Sequence, residues 1–129
     1  MVRVGTDIVE VDRVRRAVER TGEAFVRRVY TEGEAAYCDA GAARRFESYA
    51  ARFAAKEAFA KATGEGVGAN VHLNEVEVVN LAHGKPVLRL HGTTAAFFEE
   101  AFPGACVDVS LSHTSKLAVA TVVIGTAEE

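Results

Sequence analysis

From Ala43 to Ala62 the chain runs without a glycine or a proline and then meets Gly64. That pattern predicts one long helix with a glycine cap at its C-terminus. Between Ser48 and Ala60 its only charged residues are Arg52, Lys56 and Glu57. A helix so poor in charge is mostly buried, so the rest of the chain must wrap around it, and each charge in it needs a partner. At about 100° per residue, Phe46, Ala50, Phe53, Glu57 and Lys61 fall along one line. Ala51, Ala55, Ala58 and Ala62 make a second, small-residue face where another element can come close. Glu57 thus continues an aromatic stripe, an odd place for a solvated carboxylate. Arg52 and Lys56 are like charges four residues apart with no acid at 48 or 60, so an anion from elsewhere is expected near them. Spacing alone favours a plainer reading, a Glu57–Lys61 salt bridge with two solvated bases beside it.

The segments around this helix are short and mixed. Residues 2–10 alternate like a strand, and 12–21 read as a helix ending at Gly22. A further helical stretch covers about 23–40, interrupted around Thr31 to Gly33. Strand-like runs follow at 74–80, 86–91, 106–112 and 117–124, with a Gly84-Lys85-Pro86 turn and a short helix from Thr93 to Phe102 between them. Helices gather early and strands late, which predicts an α+β fold rather than a wound parallel sheet. The length of 129 residues fits a single domain across 1–129.

The first strand carries the other notable carboxylate. Val2, Val4 and Ile8 point one way, so Gly5 and Asp7 share the opposite face. A glycine two residues before Asp7 leaves room for a ligand or a closely packed backbone. A strand-end aspartate turned to solvent is the plain alternative. Two carboxylates from separate elements, with lysines nearby, match what magnesium bound to a phosphate requires, since that ion takes oxygen ligands and shares its shell with substrate and water.

Charge and composition remove whole classes of function. A net charge of −3 argues against a general nucleic-acid binder. Residues 1–28 nevertheless hold seven Arg against five acids, a local excess of +2. On a helix from Asp12, Arg13, Arg16 and Arg20 share one side while Val11, Val14 and Val18 form the buried stripe. That side is either a solvated face, with Arg15 and Glu19 paired, or a docking surface for an acidic protein; spacing gives the two even weight. The longest apolar run, Leu117 to Ile124, is far too short to cross a membrane. Cys38 and Cys106 have no metal or disulfide spacing, and Cys106 reads as a small core residue. A reducing, cytoplasmic location is expected. His72, His83 and His91 lack ligand spacing and read as surface or loop residues. The glycine-rich run after Thr63 follows a helix C-terminus, whose dipole repels anions, so its first task is to end the helix.

Three motifs now resemble a family. Val4-Gly5-Thr6-Asp7-Ile8-Val9-Glu10-Val11, followed closely by Arg13, resembles the opening motif of the 4′-phosphopantetheinyl transferases. Arg52-Phe53-Ala54-Ala55-Lys56-Glu57-Ala58-Phe59-Ala60-Lys61 resembles their (W/F)xxKExxxK motif, and Val109-Ser110-Leu111-Ser112-His113-Thr114 is similar to their third. Order, spacing and length resemble the small single-domain branch that modifies acyl carrier proteins.

The resemblance implies a compact α+β unit, its long helix packed on an antiparallel sheet. The implied reaction moves 4′-phosphopantetheine from coenzyme A to a serine of an apo-acyl carrier protein and releases 3′,5′-ADP. Asp7 and Glu57 would hold magnesium, Lys61 would neutralise phosphate charge, and Arg52 and Lys56 would be phosphate partners or organisers. His113, with Thr114 beside it, would contact the nucleotide's phosphates; Lys85 and Pro86 would lie beside the adenine or 3′-phosphate, and Gly64 would offer its backbone. Arg13, Arg16 and Arg20 would receive the acidic carrier. The resemblance further implies a homotrimer with sites between subunits. Glu57 and a metal-bound water remain open as the general base. Two alternatives stand beside this reading: the same chemistry on carriers of polyketide or other secondary metabolism, and a non-catalytic scaffold that binds carrier or nucleotide.

Overall fold

The computed structural model describes residues 1–127. Its elements are β1 (Val2–Glu10), α1 (Val11–Thr21), α2 (Glu23–Val29), α3 (Glu32–Asp39), α4 (Arg45–Thr63), β2 (Val76–Asn80), β3 (Pro86–Leu90), α5 (Gly92–Ala101), β4 (Cys106–His113) and β5 (Leu117–Gly125). The fold is α+β, with an antiparallel three-stranded sheet in the order β1-β5-β4 and an antiparallel β2-β3 hairpin packed beside β4.

The long helix is the axis of the molecule. Two hydrophobic clusters meet on it. One joins Ala54, Ala58 and Phe59 to Val76, Val78, Phe98 and the β5 residues Ala120, Val122 and Ile124. The other joins Tyr49, Ala50 and Ala51 to Val11, Val14, Val18, Tyr30 and Ala118. Phe59 is fully buried, a contribution of about 2–3 kcal/mol relative to leaving it exposed. The helix ends where Gly64 takes a left-handed conformation, φ 83°, which a residue with a Cβ adopts only under strain.

Small departures from the sequence reading have local causes. The chain from Ala42 to Arg44 makes a 3-10 turn, so α4 starts at Arg45, and a second such turn at Leu73–Glu75 delays β2 to Val76. The interruption near Thr31 is a capping box: Glu34 N donates to Thr31 Oγ1 and Thr31 N donates to Glu34 Oε1. Cys106 is exposed, not a core residue, because in β4 it takes the parity of Asp108 and Ser110 rather than that of buried Val109. Cys38 is the buried thiol, its pKa pushed up to about 12 by burial.

The three-stranded sheet packs only one face on α4. Gly5, Ala118, Ala120, Val122 and Ile124 point inward. The outer face carries Val2, Val4 and Ile8 on β1 with Leu117 and Val123 on β5, and all five are exposed. The apolar half of β1 therefore points away from the core.

Candidate active site

Gly5 sets the distance between β1 and α4. A Cβ built there would overlap the Ala58 carbonyl oxygen and lie 2.6 Å from Ala62 N. The strand rests directly on the small-residue face of the helix, and Asp7, two residues on, projects from the same face of β1 toward Glu57. Both carboxylates line a cleft of about 430 Å³ whose walls include Val14, Phe25 and Phe53, with Arg13 at its edge.

Lys61 does not pair with Glu57, as helical spacing had favoured. Its Nζ donates to Asp7 Oδ1 at 2.9 Å and to the Thr6 carbonyl oxygen at 3.3 Å. Close packing at Gly5 brings Asp7 within reach of the lysine, and that hydrogen bond holds the Lys61 ammonium above its ordinary pKa. Glu57 has no hydrogen bond or ion pair among the described residues. Burial first, and the Asp7 charge second, push its carboxyl above the usual range, with Lys61 opposing. A half-buried carboxylate without a partner, beside a second one, suits a hard cation. The described residues contain no cluster of three or more His, Cys, Asp or Glu side chains that could ligate a metal.

Lys56 needs correction as a phosphate contact. It is 0% exposed, and its three N–H donors go to Glu34 Oε1 at 2.7 Å, the Leu73 carbonyl at 3.0 Å and the Val76 carbonyl at 2.6 Å. Arg52, also buried, donates through Nη2 to Asn80 Oδ1 at 2.7 Å and stacks on Tyr37 at 4.1 Å. It therefore lies on the α3–β2 side of α4 and not in the Asp7–Glu57 cleft. Its Nε is buried without a partner among the described residues.

The remaining expected contacts are spread over other edges. Gly64 caps α4 and lies close to Arg3. Lys85, just before Pro86 at the start of β3, donates to Asp108 Oδ1 at 2.8 Å, on the outer side of the three-stranded sheet. His113 Nδ1 lies 3.2 Å from Glu47 Oε1. Glu47 is ten residues before Glu57, about 15 Å along the helix, so one chain does not bring His113 to the carboxylates. Thr114 Oγ1 accepts from the backbone N–H groups of Lys116 and Leu117 and shapes the β4–β5 turn.

The arginine helix packs as its pattern predicts, burying Val11, Val14 and Val18. Arg15 pairs with Glu19, and Arg16 with Asp12 at 2.6 Å. Arg13, Arg16, Arg20 and Arg28 line a groove of about 340 Å³ that shares Arg13, Ala17 and Phe25 with the carboxylate cleft. Arg28 and Phe25 were not singled out by sequence spacing, because they reach the groove from α2. Glu34 was also missed, although the Thr31-x-x-Glu34 capping pattern is visible in the sequence.

A family model described as the 4′-phosphopantetheinyl transferase superfamily matches residues 3–122. The chain belongs to that superfamily. Among curated members, the holo-[acyl-carrier-protein] synthase of Ruminiclostridium cellulolyticum is 46% identical over 121 residues, covering 94% of this chain and 90% of that protein. Among solved structures, the holo-[acyl-carrier-protein] synthase of Neisseria meningitidis superposes with a TM-score of 0.86 at 34% identity, covering 98% of this chain and 100% of the other. The Bacillus anthracis synthase, solved in complex with CoA (3′,5′-ADP), gives a TM-score of 0.80 at 33% identity, covering 97% of this chain and 96% of that one. The superfamily's fold is thus matched along nearly the whole chain.

Proposed function

We propose that this chain, acting as one domain, is a holo-[acyl-carrier-protein] synthase. It transfers 4′-phosphopantetheine from coenzyme A to a serine of apo-acyl carrier protein. The observation that carries this reading is the cleft in which Asp7 and an unpartnered Glu57 face each other, opening onto a groove of four arginines. Carboxylates able to hold a cation and a basic approach for an acidic protein are what this reaction needs in adjacent places.

Asp7 and Glu57 would hold magnesium, which when bound supplies positive charge against the pyrophosphate of coenzyme A. Lys61, tied to Asp7, places a second positive charge at the same edge for the phosphate oxygens. The carrier serine oxygen forms a bond to the phosphorus joined to pantetheine, and the bond from that phosphorus to the 3′,5′-ADP oxygen breaks. Such transfers depend mainly on positioning and charge neutralisation. The serine proton passes to a base; Glu57, which has no hydrogen-bond donor competing for it among the described residues, and a water on the bound metal are the two candidates. Arg13, Arg20 and Arg28, with Arg16 tethered to Asp12, form the docking groove.

The assembly we infer is a homotrimer built on the outer face of the three-stranded sheet. Val2 and Val4 are 76% and 62% exposed there, and an antiparallel sheet normally turns polar residues to water. Lys85 and Asp108 sit on that side, so a second copy packed against it would bring these two residues to the subunit contact. Fatty-acid biosynthesis in the cytoplasm is the setting that fits; no helix among the described residues is long and apolar enough to cross a membrane.

Mass spectrometry of apo-carrier proteins incubated with the chain, coenzyme A and magnesium tests the reading. A gain of the phosphopantetheine mass on the fatty-acid carrier is expected. Modification only of carriers from secondary metabolism would change the partner, and no modification of any carrier would leave a binding scaffold.

A further inference from the structure

Lys56 and Glu34 form the most deeply buried ion pair of the described residues, and the transfer chemistry above makes no use of either. Both side chains are 0% exposed, and the pair closes at 2.7 Å. Its polar atoms are satisfied. Glu34 Oε1 accepts from Lys56 Nζ and Thr31 N, and Glu34 Oε2 accepts from Val78 N at 2.7 Å. The remaining Lys56 donors go to the Leu73 and Val76 carbonyls. No proton is left on Lys56 to offer a phosphate. One network thus ties the first turn of α3, the 3-10 turn before β2 and β2 itself to a single point on α4. Thr31 is fixed in turn by Glu77 Oε2 at 2.9 Å.

That point is the residue before Glu57. Adjacent helical residues are about 100° apart, so Lys56 faces the hairpin side while Glu57 faces the cleft. On its other flank α4 touches the β1 backbone at Gly5, where an added Cβ would meet backbone atoms of Ala58 and Ala62. The two hydrophobic clusters seat the helix between these flanks, and the buried pair is the directional polar tie next to Glu57. A turn of about 10° around the axis moves a side-chain tip 5–6 Å away by about 1 Å. Displacements of that size cost up to about 100-fold in rate when they misplace reacting groups.

We propose that Glu34 and Lys56 are positioning residues: their buried pair sets the rotation of α4 that aims the Glu57 carboxylate at Asp7. The proposal rests on the transferase reading of the cleft. It also gives the lysine of the Lys56-Glu57 dipeptide a role that does not involve touching coenzyme A.

Removing one partner strands the other as a buried charge, whereas replacing both with apolar side chains of similar volume often preserves stability. The test is therefore the double variant Glu34→Leu with Lys56→Met, checked for a cooperative thermal transition; its midpoint is expected to fall, because Thr31 N, Val78 N and the Leu73 and Val76 carbonyls lose these partners. Mn2+ binding is measured by electron paramagnetic resonance with coenzyme A present, beside kcat and both KM values. The expected result is at least tenfold weaker Mn2+ binding and a kcat down by 10–100-fold, with the carrier KM within twofold of wild type. Should the double variant not fold, Glu34→Asp, which keeps the charge for Lys56 but draws the anchor in by one methylene, is expected to shift Mn2+ affinity in the same direction. Wild-type kcat and Mn2+ binding in a folded variant overturn the proposal. So does a rise confined to the coenzyme A KM, which would make Lys56 a phosphate ligand. Glu57→Gln, run in parallel, separates the two layers. If it is inactive while the double variant is normal, only the positioning role falls; if it is fully active, the transfer site falls and the positioning role with it.

Discussion

Lys61 Nζ lies 2.9 Å from Asp7 Oδ1, across 54 residues of sequence, while Glu57, one turn before Lys61 on the same helix, has no ion pair among the described residues. This exchange of partners leaves Glu57 half-buried with its pKa raised by burial and by Asp7.

Glu57→Gln is expected to abolish magnesium-dependent transfer while the protein stays folded. The pH dependence of stability gives a second check. A folded-state carboxyl pKa above the unfolded value of 4.5 means the native state binds the extra proton, so metal-free stability falls as pH rises from 4.5 through the raised pKa. The glutamine variant should lack that fall, matching wild type in acid and gaining on it towards neutral pH. Thermal unfolding across pH measures this, and parallel curves would count against it.

Lys61→Met should cut transfer by about 10²–10³-fold, the scale of one electrostatic group at a reacting centre. Stability should change little, because the Lys61 ammonium is exposed and solvent screens its pair with Asp7. Steady-state kinetics beside urea unfolding checks the contrast, and comparable losses in both would make Lys61 structural.

Gly5→Ala is expected to cost about 3 kcal/mol or more, since the added methyl would meet helix backbone rather than a movable side chain. Any folded fraction should have lost magnesium affinity, because β1 must retreat from α4. A wild-type urea midpoint would show that the strand–helix contact is loose.

Arg20→Glu should raise the carrier KM about tenfold and leave the coenzyme A KM unchanged. Arg16→Glu should do less, because Asp12 already holds that guanidinium at 2.6 Å. Equal effects would mean the Arg16–Asp12 pair opens when the carrier docks.

Val4→Asp, on the outer face of β1, should give a monomer by sedimentation with reduced transfer. An unchanged oligomer would move the subunit contact to another surface.

Sequence by itself determined a good deal here. The order of elements, the central helix and its glycine cap, the small-residue face that receives β1 and the valine stripe of α1 are local properties of period, size and propensity, and they are readable in one dimension. The Gly5–Asp7 and Glu57–Lys61 spacings were also visible, as was the resemblance that joins them. Tertiary structure alone decided the partners. Lys61 turned from Glu57 to Asp7 because packing at Gly5 brought a distant strand within hydrogen-bond reach. Lys56 turned from phosphate to Glu34 because α3 folded over its side of the helix and removed it from water. Which face of β1 is buried was likewise decided by the helix, since alternation shows that two faces differ but not which one meets the core. A charged side chain binds whatever the folded chain brings within about 3 Å, and that distance exists only in three dimensions.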